Sequence, residues 1–185
     1  MEGPVMKKIT VKEMTISALM AALLCILAPW TVPIGPIPVS LASFVIYLTV
    51  VLLGMKLSLI SVGVYLLLGL VGLPVFSGAT GGVAKLAGPT GGFLIGYLFI
   101  AIVAGLVIDR TNAGLWQTIV GLIAATVVLY AFGTIWYVML TGNSFGAALA
   151  ACVYPFVIID LVKIVVATLL GRTVRKALLK AELLS

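Results

Sequence analysis

The sequence predicts an all-α integral membrane protein of six transmembrane helices, with both termini in the cytoplasm. Three observations carry that expectation. Hydrophobic residues make up 63% of the 185-residue chain and charged residues only 9%, whereas a soluble domain carries about 25% charged residues. Apolar stretches recur at the roughly 18–20-residue length that crosses a bilayer. Finally, the basic residues fall almost entirely in alternate connections between those stretches, the pattern that sets orientation in membrane proteins.

The apolar segments run over 13–30, 39–54, 57–73, 91–108, 115–140 and 146–171, and the whole chain, 1–185, reads as one membrane domain. In the first, Ala18 and Ala22, with Ser17 and Ala21 beside them, form a stripe of small residues. Such a stripe serves packing within the protein or docking to another membrane protein. No small-x-small cleavage pattern follows, so the segment is expected to be a retained helix. The connection "TVPIGPIP" (31–38) holds three prolines and a glycine and cannot be helical throughout. Only Met55 and Lys56, just after Gly54, separate the second and third segments, which predicts a tight helical hairpin.

The next connection, "PVFSGATGGVAKLAGPT" (74–90), enters the fourth segment through "GPTGGF" (88–93). Proline suits a first helical turn, and the free N-terminal amides around Thr90 and Gly91 suit a carboxylate or phosphate. A plain loop-to-helix junction would read the same way. Gly88, Gly92 and Gly96 recur every four residues and leave a bare face for a neighbouring helix or a flat ligand. The fifth segment is long enough to tilt and is otherwise the least distinctive. The sixth contains "YPFVIIDLVKIVV" (154–166), with Asp160 and Lys163 inside it.

Orientation follows from the cations. Six crossings place Lys7, Lys8, Lys12, Lys56, Arg110, Arg172, Arg175, Lys176 and Lys180 on one side and only Lys85 in the opposite loops. The crowded side is cytoplasmic, so both Gly/Pro-rich connections lie outside. The net charge of +6 therefore reports topology, and no nucleic-acid partner is expected.

Several chemistries are excluded. The chain has no histidine, which removes the usual proton shuttle and any Ser–His pair. Cys25 and Cys152 lie in apolar runs and read as packing residues, so no metal site is expected. Asp160 is the one acid well inside a span, which is too few for a two-carboxylate protease. "GATGGVAK" lacks a glycine before Lys85, and Leu86 stands where a phosphate loop needs Ser or Thr. No catalytic residue and no cofactor are expected.

Asp160 and Lys163, three apart, project from one helix face. An ionised side chain facing lipid costs about 2.5–3.5 kcal/mol, so the pair is expected to face the bundle interior or a wet cavity. It is either a self-neutralising structural pair or a site. As a site, the aspartate accepts from N–H donors and the lysine donates to a carbonyl or an anion.

Together, "PIPVSLASF" (36–44), "YLLLGLVGLPVFSGATGG" (65–82), "GPTGGFLIGY" (88–97) and "YPFVIIDLVK" (154–163) resemble the BioY family. These are biotin-specific substrate-binding subunits, or S components, of energy-coupling factor (ECF) transporters. The likeness runs in matching order from about residue 15 to 171. Where the family reads near V-P-I-T-L-Q-T-F, this chain has Ser40 and Ser43 for the threonines and Ala42 for the glutamine. Phe93 replaces the tyrosine of the family's G-P-T-G-G-Y, and the D-x-x-K is intact.

The resemblance implies a six-helix S-component bundle in the bacterial plasma membrane, with biotin bound near the external side. It implies that Asp160, Lys163 and Ser43 meet the ligand, with Phe93 and Tyr154 as apolar walls. Lys85, Thr90 and Gly91 would belong to the covering loop. Two poses follow, one with the biotin ureido group on Asp160 and the other with the carboxylate on Lys163. Ala18 and Ala22 would contact the transmembrane coupling subunit, and two ATPase subunits would complete the transporter. The alternatives are an S component for another vitamin and a stand-alone ion-coupled carrier using Asp160.

Overall fold

The structure is a computed structural model that describes residues 9–33, 37–111 and 114–184; Lys7, Lys8 and Pro36, used above, lie outside them. The elements in order are α1 (Val11–Leu27), β1 (Thr31–Val32), β2 (Val39–Ser40), α2 (Ala42–Leu70), α3 (Val83–Ala87), α4 (Gly91–Arg110), α5 (Leu115–Thr141), α6 (Phe145–Cys152) and α7 (Tyr154–Lys180). Among the described residues, four stretches are long and apolar enough to cross a membrane: Ala42–Leu70, Gly91–Arg110, Leu115–Thr141 and Phe145–Lys180.

The first helix starts at a capping box. Thr10 Oγ1 accepts from the Glu13 amide, and the Glu13 carboxylate accepts from the Thr10 amide at 2.8 Å, which satisfies two otherwise orphan donors. Its buried face carries Ser17, Ala21 and Leu24. Ser17 and Ser61 hydroxyls lie 2.8 Å apart and fasten α1 to α2.

The expected hairpin is present, and its turn is Gly54 itself. This residue has φ 71° and ψ −170° within α2, a combination essentially restricted to glycine. It divides α2 into two limbs that run in opposite directions. The first limb ends where Arg175 Nη1 donates to the carbonyls of Val51 and Leu52, at 3.3 and 2.8 Å. The second begins where the Met55 amide donates to Asp109 Oδ2 at 3.0 Å. A cation thus covers a helix C-terminus and an anion a helix N-terminus, each where the helix dipole favours it.

One end of the bundle gathers Gly54, the end of α4, the start of α1 and the residues after α7, with Lys12 Nζ donating to the Glu182 carbonyl at 3.2 Å. The other end gathers the two Gly/Pro-rich connections. β1 and β2 pair antiparallel, Thr31 with Ser40 and Val32 with Val39, a small ladder that the apolar pattern did not announce. The second connection makes a tight turn at Gly78 and Ala79, with φ 75° and 54°, closed by the Phe76 amide donating to the Thr80 carbonyl at 2.8 Å. The Gly78 amide donates to the Pro29 carbonyl at 3.2 Å, so the connections touch.

The glycine spacing in α4 serves helix packing. A Cβ on Gly92 would strike Trp136 and one on Gly96 would strike Leu129, while Gly133 of α5 receives the Phe93 ring and Gly121 receives Val107. The sixth apolar segment, expected as one span, is two helices broken at Val153 (φ −123°, ψ −59°), with Pro155 in the first turn of α7. A continuous helix would drive the proline ring into the carbonyl four residues earlier, so α7 restarts there.

Candidate functional site

The late start of α7 sets the depth of its charges. Asp160 lies six residues into the helix, about 9 Å from its first turn at 1.5 Å per residue. The residue is buried at 5% exposure. Oδ1 accepts from the Ser43 hydroxyl at 3.2 Å, and Oδ2 accepts from the Tyr130 hydroxyl at 2.7 Å. Lys163 Nζ stands 3.4 Å from Asp160 Oδ1, and donates to the Ser40 carbonyl at 2.8 Å and to Ser43 Oγ at 2.9 Å. Helices α2, α5 and α7 therefore meet in one polar cluster inside an apolar bundle.

The valences of that cluster are unequal. An ammonium has three donors and a carboxylate about four acceptor positions. Lys163 donates to Ser40 and Ser43 and pairs as an ion with Asp160 Oδ1. Asp160 Oδ1 receives two partners, and Oδ2 receives one among the described residues. What the cluster has left to offer is an acceptor. One turn away, Tyr47 and Thr126 hydroxyls lie 2.9 Å apart, and the hydroxyls of Tyr47 and Tyr97 are within electrostatic range of the Asp160 carboxylate.

Beside the cluster lies a cavity of about 410 Å³ between α5, α6 and α7, within the ~300–1,000 Å³ usual for small ligands. Its accessible lining is almost wholly apolar, with Leu149, Val153 and Val157 among its walls, and the buried Tyr130, Thr134 and Asp160 stand at its edge. Among the described residues, no group of three or more His, Cys, Asp or Glu side chains gathers to hold a metal.

Of the residues expected at the site, Asp160, Lys163 and Ser43 come together. Phe93 packs close to this region, in the apolar cluster that also contains Tyr130, Tyr137 and Phe156. Tyr154 stands on the outer surface at 65% exposure. Gly91 is buried against the Leu86 carbonyl, its amide donating to the Gly88 carbonyl at 2.9 Å. Thr90 begins α4 without a side-chain cap. Lys85 sits on α3, where burial pulls its ammonium below the usual lysine range. Among the described residues, no side-chain hydrogen bond joins Lys85, Thr90 or Tyr154 to the cluster.

Tyr130 was missed. A signal existed: Thr126, Tyr130 and Thr134 recur every four residues in an otherwise apolar helix, a polar stripe on one face.

Ala18 and Ala22 are exposed, whereas their neighbours Ser17 and Ala21 are buried. The exposed alanines line a groove with Met14, Ile60, Val64 and Leu68.

Residues 5–180 match the profile described as the BioY family. A biotin transporter BioY of Thermotoga maritima is 33% identical over 165 residues, covering 89% of this chain and 96% of the relative. One from Rhizobium etli is 37% identical over 174 residues, covering 88% and 92%. A probable biotin transporter BioY of Pyrococcus horikoshii is 36% identical over 160 residues, covering 86% and 94%. A crystal structure of the S-component for biotin from an ECF-type ABC transporter superposes with a TM-score of 0.84 at 30% identity, covering 90% of this chain and 92% of that one.

Proposed function

The chain belongs to the BioY family, and on that premise we propose that it binds biotin within the cell membrane as the substrate-specific subunit of an ECF-type transporter. It makes and breaks no covalent bond. The observation that carries this reading is the buried Asp160, beside the cavity, whose Oδ2 has Tyr130 as its one partner among the described residues.

That spare valence favours one pose. Biotin presents two ureido N–H donors at one end and a carboxylate at the other. An incoming N–H finds an acceptor at Asp160 without breaking an existing bond. An incoming carboxylate would have to approach Lys163 beside the Asp160 carboxylate, against like charge, and where Ser40 and Ser43 already take two of its donors. The ureido group therefore faces Asp160, and Lys163 braces the carboxylate and Ser43.

The chain crosses the membrane six times: α1, the two limbs of α2, α4, α5 and the α6–α7 pair. Both termini are cytoplasmic, supported by Lys12, Lys56, Arg110, Arg172, Arg175, Lys176 and Lys180 at the same end of the bundle, with Lys85 at the other. The groove flanked by Ala18 and Ala22 receives the transmembrane coupling subunit, and two ATPase subunits drive transport. Neighbouring small residues admit a partner helix closely.

The deciding experiment titrates purified protein in detergent with biotin, riboflavin and thiamine by calorimetry. Saturable binding of biotin alone is expected; equal or stronger binding of another vitamin would displace the reading. For the docking groove, Ala18→Trp should retain biotin binding and lose uptake with the coupling module. Normal uptake by that variant would remove Ala18 from the interface.

A further inference from the structure

A short helix at a water-facing end turns its apolar residues inward and its charges outward. Helix α3 does the reverse. Val83 is 65% exposed, and Ala84 and Ala87 are exposed with it, whereas Lys85 and Leu86 are half-buried. Among the described residues, no hydrogen bond or ion pair engages the Lys85 ammonium. Nor is a protein anion at hand. Glu13, Asp109 and Glu182 lie at the opposite end of the bundle, and Asp160 is inside the cluster, already paired with Lys163. A partly desolvated cation with no counter-charge favours an anion from elsewhere.

The segment that carries Lys85 is fastened across the outer end of the bundle. The Gly82 amide donates to the Gly69 carbonyl near the end of α2 at 2.7 Å. At the other side of α3, the Trp136 indole of α5 donates to the Gly88 carbonyl at 3.0 Å. Trp136 lies six residues outward from Tyr130, about 9 Å along the helix, and Tyr130 bonds Asp160 at 2.7 Å. The α3 segment is therefore held about two turns of helix outward of the Asp160 level. A ligand with a bicyclic ureido head at Asp160 and a carboxylate at the end of four methylenes, laid outward, ends near that level. The lysine adds the reach of its own four-carbon stem.

We propose that Lys85 is a ligand-binding and specificity-determining residue, its ammonium receiving the tail carboxylate of the molecule whose ureido end rests at Asp160. The assignment rests on the biotin reading given above. It divides recognition between α7, which takes the N–H edge with an anion, and α3, which takes the charged tail with a cation. Each charge of the protein then meets its complement, and the tail carboxylate is kept away from Asp160.

The test titrates wild type, Lys85→Met and Lys85→Arg in an uncharged detergent with biotin and, separately, with biotin methyl ester, which keeps the ureido head and lacks the charge. Wild type should bind biotin about 10-fold more tightly than the ester, the scale of a hydrogen bond to a charged group at a partly exposed position. The methionine variant should bind both alike, at the affinity of wild type for the ester, and the arginine variant should keep most of the preference. In wild type the preference should fade as pH rises from about 7 to about 10, because the charge is lost by a lysine that burial pulls below its usual range. An undiminished preference in Lys85→Met, or equal losses for both ligands, would overturn the assignment. Should that variant fail to fold, a preference in wild type that stays constant with pH would overturn it equally. Absence of biotin binding by the wild type would instead overturn the functional reading itself.

Discussion

Helix α5 has two unlike neighbours. Against α4 it closes through glycines: Gly92 lies under Trp136, Gly96 under Leu129 and Gly133 under Phe93. Against α7 it stands off, leaving a 410 Å³ cavity bridged at one level by Tyr130 and Asp160. The contrast extends through the bundle, since 72% of the most apolar window of α2 is buried within the protein, against 28% for Phe145–Lys180. In a bilayer, lipid tails are as apolar as side chains, so helices gain by close van der Waals fit and by polar contacts. Small residues supply the first on one side of α5. A charged cluster supplies the second on the other, and it leaves room for a guest.

The largest way to break that arrangement is to remove the anion. Asp160→Ala leaves the Lys163 ammonium buried beside a lost partner, a change worth about 3–5 kcal/mol. Biotin affinity should fall by about 100-fold, the scale of losing a hydrogen bond to a charged group. Calorimetry on the variant checks this, and affinity within a few-fold of wild type would show that Asp160 does not touch the ligand.

A pair of enlargements on one helix contrasts its two sides more directly. Gly133→Val pushes a side chain into the Phe93 ring and should cost about 1–3 kcal/mol by overpacking. Ala131→Val, exposed at the cavity, should change stability by less than about 0.5 kcal/mol. Thermal melts in detergent separate them. Equal melting temperatures would mean that the two seams are packed alike.

A smaller loss of affinity than that of Asp160→Ala is expected from Tyr130→Phe. Oδ2 of Asp160 loses its one described partner, and the carboxylate is held less firmly. Biotin should bind about fivefold more weakly, about the worth of one ordinary hydrogen bond. If affinity rose instead, the tyrosine would be a competitor of the ligand.

Much of this was legible in the sequence because membrane proteins write their constraints locally. Apolar length placed the helical segments, Gly54 placed the reversal, and the spacing of Asp160 and Lys163 put both on one face. Ser43 entered through family resemblance, and the structure brings its hydroxyl between the two charges. Other features depend on how helices cross, which no local pattern encodes. Tyr130 looks ordinary until α7 sets Asp160 opposite it. Anchoring of Lys163 depends in part on a backbone carbonyl, that of Ser40, which leaves no mark in composition. The break at Val153 had Pro155 as its only warning, since a proline near a helix start and one inside a kink read alike.

The two cations of α7 have a mechanical consequence. Lys163 grips the start of the first α2 limb at Ser40 and Ser43, and Arg175 grips its end at Val51 and Leu52. Twelve residues of helix, about 18 Å, separate the grips. Two rods lashed together at both ends resist sliding and splaying, so α7 and that limb act as a splint. The yielding wall of the chamber is then the opposite one, where α5 passes into α6 through the left-handed Gly142.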